Sequence, residues 1–254
     1  MLPGLDDGAP DWDESIAMAA LAARDGIRGV IATPHQLGRY RNNVAPGIRQ
    51  LTAEFNQRLA AAQIDLQVLP GGDVRIEDDL LSEIRADRVL TLGDHGRHVL
   101  LELPHELYFP LQPVLETLSR AGLVGILSHP ERNRGIQSDP RCLRKLVSAG
   151  CLMQVTAGSF LGQFGSAALQ LSEQMLNNGW IHLIASDGHG TQSRRPRMMQ
   201  ARQRVIQLAG EETATLLCET YPELIFRGAD LPAVGGPKPQ VSRPAWRRMF
   251  SRAG

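Results

Sequence analysis

Residues 11–24 place Trp12, Ile16, Ala19, Ala20 and Ala23 at helical spacing, with Asp13 and Glu14 in the opening turn where the helix dipole favours negative charge. The pattern predicts an amphipathic helix. After Gly26 comes Val30-Ile31-Ala32, a short apolar run bounded by turn residues, as a buried parallel strand requires. Runs of the same kind recur at 66–69, 98–103, 124–127, 152–155 and 181–185, each separated from the next by a stretch of helix length and period. Such alternation predicts a parallel β/α architecture, either a barrel or a doubly wound sheet. No GxGxxG follows any of the strands, which weakens the dinucleotide-binding form. The polar residues tip the choice toward a TIM-like β/α barrel. His35, Asp73, Glu102, His129 and Asp187 all fall at or just past the C-terminal end of a predicted strand, the rim at which such barrels build sites.

At 254 residues the chain can bury one sizeable core, and 27 basic against 27 acidic side chains leave no net field to attract nucleic acid. Residues 1–228 are expected to form one domain. Beyond Gly228 the composition changes, because 229–254 hold Lys238, Arg243, Arg247, Arg248 and Arg252 against Asp230 alone, with four prolines. That stretch is predicted to be a basic disordered tail whose end, Trp246-Arg247-Arg248-Met249-Phe250, can dock on an acidic partner or membrane surface; a solvated tail is the plainer reading. No apolar run approaches the ~20 residues that span a bilayer, and no basic-then-apolar leader opens the chain. A cytoplasmic protein is expected, at most peripheral at the inner face of the membrane. Cys142, Cys151 and Cys218 lack CxxC spacing and argue against a disulfide framework or a thiolate metal site. All three are expected to be buried thiols.

The chemistry lies in the rim residues taken together. A lone Asp after a strand is usually a helix cap and a lone His usually structural, but five or more hard-ligand residues arriving one per β/α unit point to a divalent metal centre. Ile184-Ala185-Ser186-Asp187-Gly188-His189 puts a carboxylate and an imidazole two apart after a strand. Ser128-His129-Pro130-Glu131-Arg132 adds a His and an Arg able to hold an oxyanion, and Ala32-Thr33-Pro34-His35 projects another imidazole. His105 lies just past Glu102 on the same rim, either at the entrance or merely on the surface. His95 and His98 precede a strand and are read as structural or exposed, and His182 as a core residue.

Leu5-Asp6-Asp7-Gly8, Thr33-Pro34-His35, Gly71-Gly72-Asp73-Val74, Leu101-Glu102-Leu103, Ser128-His129-Pro130-Glu131-Arg132, Gln154-Val155-Thr156-Ala157-Gly158-Ser159 and Ala185-Ser186-Asp187-Gly188-His189 resemble, in that order, the motif series of the polymerase-and-histidinol-phosphatase (PHP) superfamily. The likeness is to its bacterial tyrosine-protein phosphatases of capsule and exopolysaccharide synthesis. The resemblance implies a distorted β/α barrel with up to three divalent ions, Mn first and Fe, Zn or Mg as alternatives. It implies that Asp73 bridges two ions, Asp187 completes the first site, Glu102 and His129 the second, and Asp7, His35 and His189 the third. Arg132 and either Arg194 or Arg195 match the phosphate-binding arginines, and Asp7, His35 or His189 can protonate the leaving group. The implied substrate is a phosphotyrosine protein, a membrane-associated bacterial tyrosine kinase; a homo-oligomer is compatible with it. Family members open with a strand ending in His-x-His, and Met1 stands where that strand has finished. The chain as written is therefore expected to lack one strand and two ligands, through a start assigned too far downstream or a truncated gene; the alternative is a genuinely reduced protein, and the chain as written is expected to hold fewer ions.

A cysteine phosphatase needs an Arg six residues after its thiolate, and none of the three cysteines has one. An amidohydrolase of this fold needs a Lys at a strand end, and neither Lys145 nor Lys238 lies there. A histidinol-phosphatase-like hydrolase of small phosphoesters, and a barrel without activity that binds a partner, remain as alternatives.

Overall fold

Strands buried on both faces need no polar alternation, and the short apolar runs of this chain form such strands. In the computed structural model, which describes residues 1–232, they are β1 (Gly29–Ala32), β2 (His35–Gln36), β3 (Gln67–Pro70), β4 (Asp73–Arg75), β5 (His98–Glu102), β6 (Val124–Ser128), β7 (Leu152–Thr156) and β8 (Leu183–Ala185). Every pairing among them is parallel. β1 pairs with β3, and the larger sheet runs β2-β4-β5-β6-β7-β8. The helices are α1 (Trp12–Arg24), α2 (Ala45–Ala61), α3 (Leu80–Arg85), α4 (Gln112–Arg120), α5 (Arg134–Ser138), α6 (Arg141–Ser148), α7 (Ala157–Phe160), α8 (Gly165–Asn177), α9 (Met198–Ala209), α10 (Glu211–Thr215) and α11 (Tyr221–Phe226). The expected β/α alternation is present. The expectation of a tail falls mostly on residues 233–254, outside the described residues.

Alternate residues of the strands serve two cores. Val99, Leu101, Leu127, Met153 and Val155 pack with Leu115, Leu143, Leu171 and Val205 from the flanking helices. Leu100, Ile126 and Leu183 face the other way and meet Ile225 of α11. A third cluster joins α1 and α2 to β1 and β3, with Phe55 fully buried at its centre; removing a side chain of that size from water stabilises by about 3 kcal/mol.

Two expectations need correcting. The buried face of α1 is Ser15, Met18, Ala19 and Ala22, while Trp12, Ile16, Ala20 and Ala23 are only partly buried. The small Ala19 and Ala22 let the helix approach closely, and Trp12 reaches sideways to Phe55, ring centroids 5.8 Å apart. Cys142 and Cys151 are buried as expected, but Cys218 is only half-buried.

The strands nearest the N-terminus are interrupted. β1 and β3 stop at Ala32 and Pro70, and pairing resumes after a gap of two residues in β2 and β4, with His35 opposite Asp73. His35 and Asp73 therefore begin short strands rather than following long ones, as the sequence pattern had suggested. A cavity of about 1040 Å³ opens beside them, bounded by 28–34 on one side and 183–189 on the other, with Asp6, Asp73 and Ser128 also in its wall. Among the described residues no ladder joins β8 to β1 or β2.

Candidate active site

Each rim residue is held by a local backbone device. Asp6 accepts the N–H of His35 (3.0 Å) and, through its other oxygen, that of Gly8 (3.0 Å), so the 5–8 segment and the β2 start are one unit. Asn43 donates to both Leu5 O and His35 O, each at 2.9 Å, and closes it. His129 and Asp187 leave their strands in the left-handed region, at φ 34° and 48°, and Arg194 returns toward the site at φ 49°. For residues with a Cβ this costs on the order of 1–2 kcal/mol apiece, tolerated where surrounding contacts fix the turn. Those contacts are present: His189 N donates to Arg194 O (2.9 Å), and Glu14 of α1 accepts from Thr191 N (2.7 Å).

The side chains converge. Asp7 Oδ1 lies 3.7 Å from His35 Nε2 and 3.4 Å from His189 Nε2. His35 Nδ1 lies 3.4 Å from Glu102 Oε2, and His129 Nε2 stands 3.7 Å from Asp73 Oδ2 and 4.0 Å from Glu102 Oε1. Asp187 Oδ1 is 3.6 Å from His189 Nδ1, while its Oδ2 accepts from both Arg132 and Arg194. Arg194 Nη1 also comes within 3.7 Å of Asp7. Arg195 turns away and donates to Gln192 (3.2 Å), so of the two candidate arginines it is Arg194 that enters the cluster.

Burial and crowding set the charges. Asp73 is buried, and desolvation together with the Glu102 carboxylate raises its pKa strongly. Burial pulls His35 down, but the Glu102 carboxylate 3.4 Å from its Nδ1 outweighs this and pushes the imidazole up to about 9. Burial, reinforced by Arg132, takes His129 down to about 4, leaving a neutral imidazole. Asp187 is held low against its burial chiefly by Arg194. The thiols do not compete for this chemistry: burial lifts Cys151 and Cys218 to about 12 and raises Cys142 as well.

The family model described as capsular polysaccharide synthesis, CpsB/CapC, matches residues 1–227. This chain belongs to the CpsB/CapC family. It is 34% identical over 229 residues to the tyrosine-protein phosphatase YwqE of Bacillus subtilis, a match that covers 89% of each chain. The putative tyrosine-protein phosphatase CapC of Staphylococcus aureus is 29% identical, with 76% of each chain covered. The tyrosine-protein phosphatase CpsB of Streptococcus pneumoniae is 24% identical, over 87% of this chain and 93% of its own. Among solved structures, one described with YwqE and CpsB as unique metal-dependent tyrosine phosphatases superposes with a TM-score of 0.85 at 32% identity, covering 95% of this chain and 97% of the other. The fold is accordingly the PHP-type α/β architecture of that family.

In this CpsB/CapC chain the donor set fits divalent ions. Asp7, His35 and His189 form one group whose ligand atoms lie within 4.8 Å of one another, and His35, Asp73 and Glu102 form another. Asp73 Oδ1 and His35 Nδ1 are buried without a hydrogen-bond partner, which is costly unless something else satisfies them. Oxygen and imidazole donors without sulfur suit hard or borderline cations.

Of the other histidines, His105 is exposed and stacks on His129, centroids 5.7 Å apart. His98 is buried, not exposed, and His182 is a core residue whose Nδ1 accepts from Met153 N (3.1 Å). His95 is exposed and bonds Phe226 O. Sequence reasoning missed the supports. Ser128 Oγ donates to Asp73 (3.0 Å), a signal present in the residue before His129. Buried Glu131 accepts from Thr156 N and Ser159 Oγ, tying the Pro130–Arg132 turn to α7. Phe164 lies under Arg132, and nothing in its local sequence signals that.

Proposed function

We propose that this chain is a metal-dependent protein-tyrosine phosphatase that hydrolyses the phosphomonoester of phosphotyrosine. The observation that carries this reading is the convergence of two guanidinium groups, Arg132 and Arg194, on the Asp187 carboxylate, which also approaches His189, beside two carboxylate–imidazole groups that share His35. Asp73 would lie between two ions, with Asp187 completing one site and Glu102 and His129 the other; Asp7, His35 and His189 would hold the third. Mn is the first choice, and Fe, Zn or Mg suit the same donors. Bound there, such ions supply positive charge for the phosphoryl oxygens and acidify water.

The protein's own groups do the rest. Arg132 and Arg194, which both bond Asp187 here, carry N–H groups that would suit phosphoryl oxygens bidentately were Asp187 to ligate an ion instead. If the third ion is not held, Asp7, between His35, His189 and Arg194, is the group that would serve the departing oxygen as acid, with His35 and His189 as the alternatives. A phenolate leaves readily and asks little of that acid. Arg195 has no part in this reading. The names of the relatives and the capsular family support a phosphoprotein substrate; that it is a membrane-associated bacterial tyrosine kinase, met in the cytoplasm, rests on that association. No helix among the described residues is long and apolar enough to cross a membrane.

Turnover of p-nitrophenyl phosphate and of a phosphotyrosine peptide, with Mn added or EDTA present, tests the reading. Activity should require metal, persist in a variant carrying Cys142→Ser, Cys151→Ser and Cys218→Ser, vanish in His129→Ala, and fall by about 100-fold or more in Arg132→Ala. Turnover indifferent to EDTA, or lost with the cysteines, would overturn it.

A further inference from the structure

Three rings stand at the rim without binding ions or the phosphoryl group. Tyr40 stacks on His35, centroids 5.3 Å apart at 16°, and His105 on His129. Phe164 takes the arginines: its ring centroid is 4.3 Å from Arg132 Cζ and 5.8 Å from Arg194 Cζ, both within the ~6 Å reach of a cation–π contact. It is half-buried, so part of the ring stays open to solvent.

The placement is built. Phe164 closes the turn between α7 and α8 and lies over the backbone of α7: a Cβ added to Gly158 would stand 2.9 Å from the ring at Cε2 and 2.4 Å from Gln163 Oε1. α7 is in turn fastened by Ser159 to Glu131, the residue next to Arg132. One ring therefore references both guanidinium groups to the same piece of backbone. A guanidinium stacks through its face and hydrogen-bonds through its edge, so one that lies over the ring can still offer its edge to oxygen. The ester group of a phosphate held on those edges leaves the arginines beside the ring that covers them. A flat aryl group can lie against that ring in offset contact; an alkyl group gains much less.

We propose that Phe164 is the specificity-determining residue of this site, fixing the two arginines and packing against the aryl group so that aryl phosphates are bound in preference to alkyl phosphates. The proposal rests on the phosphatase reading above.

Calorimetric titration of the Mn-loaded protein with phenylphosphonate and with methylphosphonate reads the preference without turnover. The wild type should bind phenylphosphonate tighter by about 5-fold or more. Phe164→Leu, which keeps apolar volume but has no ring face, should bring the two affinities within about 2-fold, whereas Phe164→Trp should keep the preference. Thermal melts would confirm that both variants fold. No preference in the wild type, or a preference unchanged in Phe164→Leu, overturns the proposal. p-Nitrophenyl phosphate turnover measured alongside separates the two ideas: a wild type that binds phenylphosphonate selectively but does not turn over removes the phosphatase reading alone.

Discussion

Asp73 has one carboxylate oxygen on Ser128 Oγ and the other buried without a partner, with the Glu102 carboxylate close enough to raise its pKa further. An ionised group in that position opposes folding unless a cation joins it. Asp73→Asn removes the repulsion while keeping the shape. In EDTA at pH 8 its melting temperature should lie about 2–4 °C above the wild type, the shift expected for 1–2 kcal/mol in a chain of this size. Added Mn should then raise the wild-type melting temperature, by mass action on the folded state, and raise that of the variant by less, since Asp7, His35 and His189 remain in it. Scanning calorimetry reads both; a variant less stable than wild type without metal would mean that the carboxylate is satisfied after all.

At the scale of elements, Asn133 joins three pieces of structure. Its side-chain oxygen caps α5 by accepting Ile136 N (2.8 Å), and its amide donates to Pro104 O (2.7 Å) and Leu107 O (3.0 Å) in the loop that carries His105. Asn133→Ala loses a cap, about 1 kcal/mol, and leaves Leu107 O without its donor, about 1 kcal/mol, while Pro104 O keeps the N–H of Leu107, so urea denaturation should show a loss of about 2–3 kcal/mol. Asn133→Asp keeps the cap but turns a carboxylate toward two carbonyls, and should lose at least as much. Elements of this kind mark the limit of what the sequence reveals. The β/α order and the rim residues were legible because apolar runs and ligand-type residues alternate along the chain. The interruptions at Thr33-Pro34 and Gly71-Gly72 were not, because two- and three-residue strands carry no periodicity. The choice between Arg194 and Arg195 depends on a left-handed turn at Arg194, and the placement of Phe164 depends on a partner 32 residues away in the chain, at Arg132.

For the molecule as a whole, buried His98 opens β5 and buried His182 precedes β8, at the end of the sheet opposite the site, and burial lowers both to about 4. The unfolded chain, with histidines near 6.5, binds more protons than the folded one between about 4 and 6.5. The contribution of these two histidines is therefore complete above pH 6.5 and is lost as pH drops through that window, by up to about 1.4 kcal/mol per pH unit for each. Urea midpoints at pH 7 and pH 5 should differ clearly in the wild type and less in His182→Gln. A wild-type midpoint that does not fall by pH 5 would show that these rings are charged inside the fold. The paired interruption of β1–β2 and β3–β4 reaches further, into how this architecture can change over generations. His35 faces Asp73 because both breaks skip the same number of residues. One residue gained or lost at 33–34 alone would shift the ladder and turn His35 to the opposite face. An insertion there survives only with a matching one at 71–72, so these two loops, 38 residues apart, are bound to vary in length together.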